Sequence, residues 1–367
     1  MSRLLIAGAV VALLAGVASR AHAELVNLAE PRIAAEVVSV EKIWDQGAHN
    51  AFTDLVRFEG QWYCTFREGE NHVGTDGRIR VIRSADGAAW ESCGLLEEAG
   101  VDLRDPKLCV TPDNRLMLNL GGSFYEGDTL LNRRPRVSFS GDGATWSAPK
   151  PICADGDWLW RVTWREGRAW GVAYEARIGE PREWILRLYS SEDGENYRIR
   201  SILNVPDSPN ETTLRFGDDG TMYALVRREA GDKGAWLGTS PPPYVDWRWD
   251  NTEVQMGGPN FMQLPNGHWI AAGRRYPGGA KTVLYELRKL EVIARDFGDP
   301  GGGAGRPMLL TSLNPLAELP SGGDTSYPGL VWHEGLLWMS YYASHEGKTS
   351  IYLAKIRLTE GAPAPGN

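Results

Sequence analysis

The sequence contains few cysteines and histidines, the residues that cross-link small domains through disulfide bonds or bind metal ions. Four cysteines among 367 residues are too few for a disulfide scaffold. Cys64 and Cys109 lie in apolar, strand-like segments and are expected to be buried thiols. A bond between Cys93 and Cys153 stays open, because sequence alone does not fix cysteine connectivity. The six histidines are scattered without metal-ligand spacing, so we predict neither a metal site nor a cofactor.

The chain also lacks a basic stripe, helical periodicity and a second long apolar run. The formal net charge is -8 at pH 7, and without a basic stripe nucleic acid is not expected as a partner. The apolar run, residues 4–17, follows Arg3 and precedes the small-residue pattern at 21–23. We predict that residues 1–23 are a secretory signal peptide, because the run is shorter than the roughly 20 residues that span a membrane. The mature protein is then secreted or periplasmic, without membrane attachment.

Glycine and tryptophan are abundant instead, with 43 and 15 copies. Many turns and many large aromatic side chains favour an all-β protein in which most tryptophans pack on sheets. One pattern recurs six times: a polar patch enters a short apolar strand, and an aromatic-rich strand and a third strand follow. Its anchors stand about 50 to 65 residues apart, at Asp54, Asp105, Arg161, Glu211, Asn260 and Ser326.

That period matches the length of a four-stranded propeller blade. We therefore predict an all-β, six-bladed β-propeller that forms a single domain over residues 24–358. A ring has to be closed, and residues 35–44 precede the first copy without a blade of their own. We predict that they form the outermost strand of the last blade. The Gly-rich residues 296–306 are expected to be a loop, and 359–367 a disordered tail.

Three turns of similar sequence follow the third strands of successive repeats, at residues 84–90, 140–146 and 191–197. Each has the order Ser-x-Asp-Gly and ends on Trp or Tyr, a pattern that builds a tight hairpin with the ring packed back on the sheet. We expect all three to be structural and to lie on the outer rim. They resemble the Asp-boxes of the sialidase superfamily, and the resemblance covers nearly the whole chain beyond residue 23. It implies the six-bladed fold, independently of the repeat.

The resemblance also implies a chemistry, the retaining cleavage of glycosides by a tyrosine nucleophile. Tyr327 opens the inner strand of the last repeat, where the family has that tyrosine. Glu211 resembles the glutamate that activates it, Arg227 the second of three substrate-binding arginines, and Asp76 the general acid/base. A carboxylate can take the proton of a phenol as it attacks. The structural alternatives are a core tyrosine, a buried ion pair between Glu211 and Arg227, and a solvated turn at Asp76.

The sequence departs from the family in its arginines, which hold the substrate carboxylate bidentately. Residues 50–54 stand where the first arginine is expected and contain none. Arg274 and Arg275 are candidates for the third. This incomplete triad weakens sialic acid as the substrate. Other polar residues stand at the starts of the inner strands, or in the neighbouring strand and loop of the same repeat, and are expected to converge on the channel mouth as substrate ligands: His49, Asp54, Arg67, His72, Arg104, Asp105, Arg161, Asn260 and Asp324.

These observations favour an exported, sialidase-like glycoside hydrolase that acts on the terminal sugar of a glycan, acidic sugars included. Two alternatives remain open. A polysaccharide lyase would use a tyrosine or a histidine, His49 or His72, to take the proton beside a uronate carboxylate. A non-catalytic carbohydrate-binding propeller would need the polar cluster but not an activated phenol.

Overall fold

The computed structural model describes residues 31–75, 77–127, 129–176, 184–294 and 306–361. These residues form β-strands and turns and contain no helix, so none of them builds a helix that could cross a membrane. The predicted signal peptide, Asp76, most of the Gly-rich loop and residues 362–367 lie outside the described residues. Arg306, predicted as the end of that loop, begins a strand instead.

The first half of the chain forms one four-stranded antiparallel sheet after another. The first strand is β1 (Ile33–Trp44). The next sheet has the order β2 (His49–Phe58), β3 (Gln61–Gly69), β4 (Arg78–Ser84) and β5 (Glu91–Leu96). It is followed by β6 (Asp102–Val110), β7 (Leu116–Glu126), β8 (Thr129–Ser140) and β9 (Lys150–Pro151). The third sheet consists of β10 (Asp157–Arg165), β11 (Arg168–Ala176), β12 (Trp184–Ser191) and β13 (Arg198–Leu203).

The second half begins with a continuous sheet of seven strands. Its order is β14 (Pro209–Phe216), β15 (Met222–Arg228), β16 (Gly234–Ser240), β17 (Arg248–Gln263), β18 (Trp269–Arg275), β19 (Lys281–Ala294) and β20 (Arg306–Glu318). The last sheet contains β21 (Thr325–His333), β22 (Leu336–Ala343) and β23 (Ser350–Glu360), and its fourth strand is β1.

This arrangement confirms an all-β propeller but not six separate blades. Among the described strands, four sheets of four strands stand alone, and the other seven strands are continuous. The reason is β17, which is 16 residues long. Its first half pairs with β16 and its second half with β18, so one strand bridges what the sequence predicted as two blades.

The predicted ring closure is confirmed. β1 pairs antiparallel with β23, and Ile33 and Ala34 face Glu360 and Thr359. The expected tail therefore starts later than predicted, because Thr359 and Glu360 are held in this ladder. The first and last sheets also pack on each other through Trp62 and Trp338, whose stacked rings lie 4.2 Å apart.

The three rim turns share one hydrogen-bond pattern. In the turn after β8, Ser140 Oγ accepts from the Gly143 amide, and Asp142 Oδ1 accepts from the amides of Ala144 and Thr145. Equivalent bonds occur at 84–89 and at 191–196. Gly143 has φ +73° and fills the position that an L-residue rarely adopts. The amides of Thr145 and Ala144 lower the pKa of Asp142, so its carboxylate is ionised.

A second repeated feature lies on the inner strands. Each carries one extra residue relative to its neighbour, a β-bulge at the same place. The shifts fall between Ala51 and Asp54, Arg104 and Lys107, Leu159 and Val162, Pro209 and Thr212, Gly257 and Asn260, and Ser326 and Gly329. The first residue inside the bulge has a positive φ in four cases, at Phe52, Asp105, Gly258 and Tyr327.

All four cysteines lie in described segments and are free thiols. Cys93 and Cys153 do not pair, which resolves the open question. Cys64 is buried as expected, whereas Cys109 is only partly buried.

Candidate active site

The inner-strand bulges gather charged and aromatic side chains at one end of the ring. They border a pocket of about 240 Å³ whose walls include Phe52, His72, Asp105, Glu211, Arg227 and Tyr327. These residues come from four sheets. Bulges re-aim side chains next to active sites, and positive φ values at residues with a Cβ store strain there. The bulges therefore create the pocket wall.

Tyr327, Glu211 and Arg227 form one hydrogen-bonded unit. The Tyr327 hydroxyl donates to Glu211 Oε1 at 2.5 Å. Glu211 Oε2 accepts from Arg227 Nη1 at 2.8 Å and from the Gly258 amide at 2.7 Å. Arg227 Nη1 also lies 3.4 Å from the Tyr327 hydroxyl oxygen. Residues predicted from three separate strands are thus brought into direct contact.

Electrostatics keep this unit in a defined protonation state. Burial alone raises the pKa of Glu211, but the charge and hydrogen bond of Arg227 outweigh it, with help from Tyr327 and Gly258, and lower the pKa below its usual value. Burial and the negative charge of Glu211 hold the pKa of Tyr327 well above its usual value. A neutral phenol therefore donates to an ionised carboxylate, which is the arrangement of a nucleophile with its base.

Tyr327 is held by aromatic rings on several sides. Its ring meets those of Phe52 and Trp160 edge-on, at 5.2 and 5.4 Å between centroids. Lys107 Nζ lies 4.4 Å from the Trp160 ring centre and 5.7 Å from that of Tyr327. Burial and the nearby charge of Arg161 lower the pKa of Lys107 to about 8. Sequence reasoning missed Lys107, although its place two residues after the repeat anchor Asp105 could have drawn attention to it.

The two adjacent arginines of β18 have different roles. Arg274 Nη2 donates to Asp324 Oδ1 at 3.1 Å and to the Tyr342 hydroxyl at 2.7 Å, and its guanidinium lies 5.7 Å from the Tyr327 ring centre. Arg275 bonds to Glu318 at 2.6 Å on the other face of the strand. Neighbouring residues of a strand point to opposite faces, so only Arg274 joins the site.

Asp324 binds both predicted histidines. Its Oδ2 lies 3.0 Å from His49 Nε2 and 2.6 Å from His72 Nδ1. Burial alone raises the pKa of Asp324, but the hydrogen bonds of His49 and His72 and the charge of Arg274 outweigh it and lower the pKa. The predicted ligands His49, His72 and Asp324 therefore do converge.

Asp105 and Arg104 reach the pocket from β6. Asp105 Oδ2 accepts from Trp158 Nε1 at 3.2 Å, whereas the buried Oδ1 has no hydrogen-bond partner among the described residues. Burial raises the pKa of Asp105 and outweighs the charge of Arg104. Arg104 lies over Phe52 at 5.1 Å. Asp76, the acid/base that the family resemblance implies, is outside the described residues.

Four other predicted ligands make hydrogen bonds or ion pairs within the protein. Asp54 Oδ2 accepts from Arg161 Nη1 at 2.7 Å and from the Leu108 amide at 2.8 Å. Asn260 donates to the Pro328 carbonyl oxygen at 2.9 Å. Arg67 is fully buried and donates to Asp102 at 2.8 Å. These contacts tie inner strands and loops together, so we assign the four residues to the support of the site.

No protein-family model and no curated protein matches this sequence. Several solved structures are similar in fold. A protein of unknown function from Dyadobacter fermentans has 16% identity and a TM-score of 0.71, over 90% of this chain and 100% of that chain. The GH93 α-L-arabinofuranosidase of Fusarium graminearum, in complex with arabinobiose, has 13% identity and a TM-score of 0.63, over 88% of this chain and 98% of that chain.

The third structure is Trypanosoma rangeli sialidase in complex with the inhibitor DANA. It has 9% identity and a TM-score of 0.61, over 89% of this chain and 60% of that chain. The resemblance expected from the rim turns is thereby confirmed at the level of the fold, because the chain shares the propeller fold of this arabinofuranosidase and this sialidase. At such identities, function has to be argued from the site.

Proposed function

We propose that this sialidase-like propeller is an exo-acting, retaining glycoside hydrolase with Tyr327 as its nucleophile. The observation that carries the proposal is the hydrogen bond of the Tyr327 hydroxyl to the ionised Glu211 at the pocket wall. A buried phenol needs such a base in order to attack. The fold neighbours that cleave α-L-arabinofuranosides and sialosides support the same reaction class.

In this mechanism the Tyr327 oxygen attacks the anomeric carbon while Glu211 takes the phenol proton. An acid protonates the leaving oxygen, and water then cleaves the glycosyl–tyrosine bond, with the proton transfers reversed. Arg227 assists the attack by Tyr327 in two ways. It keeps Glu211 ionised before the attack, and its Nη1 lies 3.4 Å from the phenol oxygen, on which negative charge develops.

Two aspartates compete for the acid role. The family resemblance implies Asp76, and Asp105 is supported by a raised pKa, a buried carboxylate oxygen without a partner among the described residues and a position on the pocket wall. Loss of the true acid lowers the rate with poor leaving groups far more than with activated ones. The Asp76→Asn and Asp105→Asn variants, each measured on an activated and a non-activated glycoside, identify which residue donates the proton.

We propose a terminal sugar without a carboxylate as the leading substrate. Arg227 already forms ion pairs with Glu211 and Glu229, and Arg274 with Asp324. The first arginine of the sialidase family is absent. A carboxylated sugar would have to compete with these internal acids for both arginines. A sialoside is the second candidate, favoured by the tyrosine itself, because a neutral nucleophile is not repelled by a substrate carboxylate.

We further propose that the ring has six blades, two of which share β17. The support is the bulge that all six inner strands carry at the same place, including β14 and the second half of β17. Residues 1–23 are proposed to direct export, which fractionation of the producing cell tests.

A panel of fluorogenic exo-glycosides, with an α-L-arabinofuranoside and an α-sialoside among them, tests the activity. Tyr327→Phe is compared with Tyr341→Phe, whose hydroxyl donates to the Pro320 carbonyl oxygen outside the pocket. We expect release that falls at least about 10³-fold in Tyr327→Phe only. No release from any member would contradict the hydrolase. Ultraviolet-absorbing products from a uronate glycan would then support the lyase, and binding without products the lectin-like alternative.

A further inference from the structure

The two histidines and the aspartate beside the pocket come from distant parts of the chain. His49 begins β2, His72 follows β3, and Asp324 precedes β21. One ligand atom from each residue lies within 4.8 Å of the others. Both ring nitrogens point at the same oxygen, Asp324 Oδ2, at 3.0 and 2.6 Å. The packing of the first sheet against the last therefore brings two imidazoles and one carboxylate together.

The other atoms of Asp324 are held by a second layer of contacts. Its Oδ1 accepts from Tyr342 Oη at 3.0 Å and from Arg274 Nη2 at 3.1 Å. Its backbone amide donates to Ser344 Oγ at 2.9 Å. Outer-shell hydrogen bonds of this kind orient the carboxylates that bind metals and leave one oxygen free to ligate. Here Oδ2 is the oxygen that remains turned towards the imidazoles.

The histidine rings are held as well. The His49 and His72 rings meet edge-on at 5.5 Å, and His72 packs against Phe52 at 5.0 Å. Arg104 Nη2 donates to the backbone oxygen of His72 at 3.1 Å, which fixes the loop that carries it. The three side chains are thus positioned before any ligand arrives.

We propose that His49 Nε2, His72 Nδ1 and Asp324 Oδ2 bind a divalent transition metal ion of the Zn²⁺ class. Two imidazole nitrogens and one carboxylate oxygen suit such ions. Ligands about 2.1 Å from a tetrahedral ion stand roughly 3.4 Å apart. The two contacts with Asp324 Oδ2, of 3.0 and 2.6 Å, reach that separation by shifts below about one ångström, and the two ring nitrogens lie within 4.8 Å of each other.

Three protein ligands leave a coordination position for a water or a substrate oxygen. His72 lines the same pocket as Tyr327, so the proposed ion would lie beside the space where the glycosidase proposal puts the sugar. A bound ion would orient a sugar hydroxyl there. The site itself does not depend on the glycosidase proposal, because metal binding is measured without any substrate.

The competing account is a hydrogen-bonded cluster in which each imidazole donates one proton to Asp324. The test is a titration of the chelator-treated full chain with Zn²⁺ by calorimetry and with Co²⁺ by visible absorption. We expect one ion per chain and a Co²⁺ spectrum of a site with nitrogen and oxygen ligands. The affinity should fall at least about 100-fold in His49→Gln/His72→Gln, and about tenfold in Tyr342→Phe, which removes a hydrogen bond to Asp324 Oδ1.

His268→Gln is the matched control, because this histidine also lies between two carboxylates, Glu286 at 3.1 Å and Glu360 at 3.2 Å. Its binding should equal that of the wild type. If the double variant fails to fold, His72→Gln carries the test, since that side chain is 48% exposed. No saturable site in the wild type, or an affinity that the histidine variants leave unchanged, overturns the proposal. Failure of the glycoside panel alone leaves it intact.

Discussion

The outer rim and the inner strands of this propeller both repeat a backbone device, but they repeat it differently. The rim turns keep the same residues, and the same serine and aspartate oxygens accept the same amide protons each time. The inner bulges keep the same register shift and change the residue, from Phe52 to Asp105, Trp160 and Tyr327. A turn repeated with its sequence stabilises the fold. A bulge that recurs with a different residue each time directs different side chains towards the same pocket.

The two regions also differ in electrostatics. The rim carboxylates are exposed and bonded to amides, so their ionisation favours the folded state. The inner side chains include the buried ammonium of Lys107, whose burial disfavours its ionisation. We infer that the rim turns raise the free energy of unfolding and that the buried charge in the pocket lowers it. The following predictions test that division, from the largest expected effect to the smallest.

The first prediction concerns the two glutamates that pair with Arg227. Glu211→Gln removes the base that accepts the Tyr327 proton, so we expect kcat/KM to fall about 10²- to 10⁴-fold. Glu229→Gln removes the other partner of the same arginine and is the matched control, with a much smaller loss. Steady-state kinetics on the released glycoside measures both. Equal losses in the two variants would mean that Glu211 acts only by holding Arg227.

The second prediction concerns Lys107, because burial lowers the pKa of its ammonium from the usual 10.5 to about 8. The folded state then binds this proton less tightly than the unfolded state. Charging Lys107 therefore costs about 3 kcal/mol below pH 8, a cost that fades as the pH rises towards 10.5. We expect Lys107→Met to raise the free energy of unfolding at pH 7, with the gain shrinking above pH 8.

Denaturant unfolding of both proteins at pH 7 and pH 9.5 measures this gain. Activity is measured in parallel, because the removed charge lies beside Tyr327. A Lys107→Met variant that is less stable than the wild type at pH 7 would show that the inner charges support the fold.

The third prediction concerns the rim turn after β8. A Cβ at Gly143 would lie 2.3 Å from the Tyr63 ring, on a backbone with φ +73°. We expect Gly143→Ala to lower the free energy of unfolding by about 1–3 kcal/mol. The activity of the folded protein should not change.

Gly141→Ala is the control in the same turn, because a Cβ there meets nothing within 4 Å. Thermal unfolding and kcat/KM are measured for both variants and for the wild type. A loss of activity in folded Gly143→Ala would contradict the inference that the rim turns contribute to stability and not to activity.

The sequence predicted what depends on local pattern. The strands, the closure by residues 35–44 and the structural turns follow from alternation, glycine placement and spacing. Tyr327, Glu211 and Arg227 were reached through the family resemblance, and the structure brings them into contact. Whether they act as proposed stays a prediction.

What could not be predicted depends on register and on contacts between distant residues. The continuity of β17 follows from its pairing on both sides, which no local pattern encodes. Arg275 was assigned with Arg274 because sequence does not say which of two neighbours faces the channel. His49, His72 and Asp324 were each named, but separations of 23 and 252 residues gave no metal-ligand spacing (72 − 49 and 324 − 72).

The central claim is a covalent bond between Tyr327 and the sugar. The direct measurement is to incubate the protein with a fluorinated, activated analogue of whichever glycoside it cleaves, a design that slows the second step, and to map the labelled peptide by mass spectrometry. The account predicts one glycosyl group per chain, on the Tyr327 oxygen, and no label in Tyr327→Phe. A label on Glu211 or on another residue, or turnover without any trapped intermediate, would contradict it.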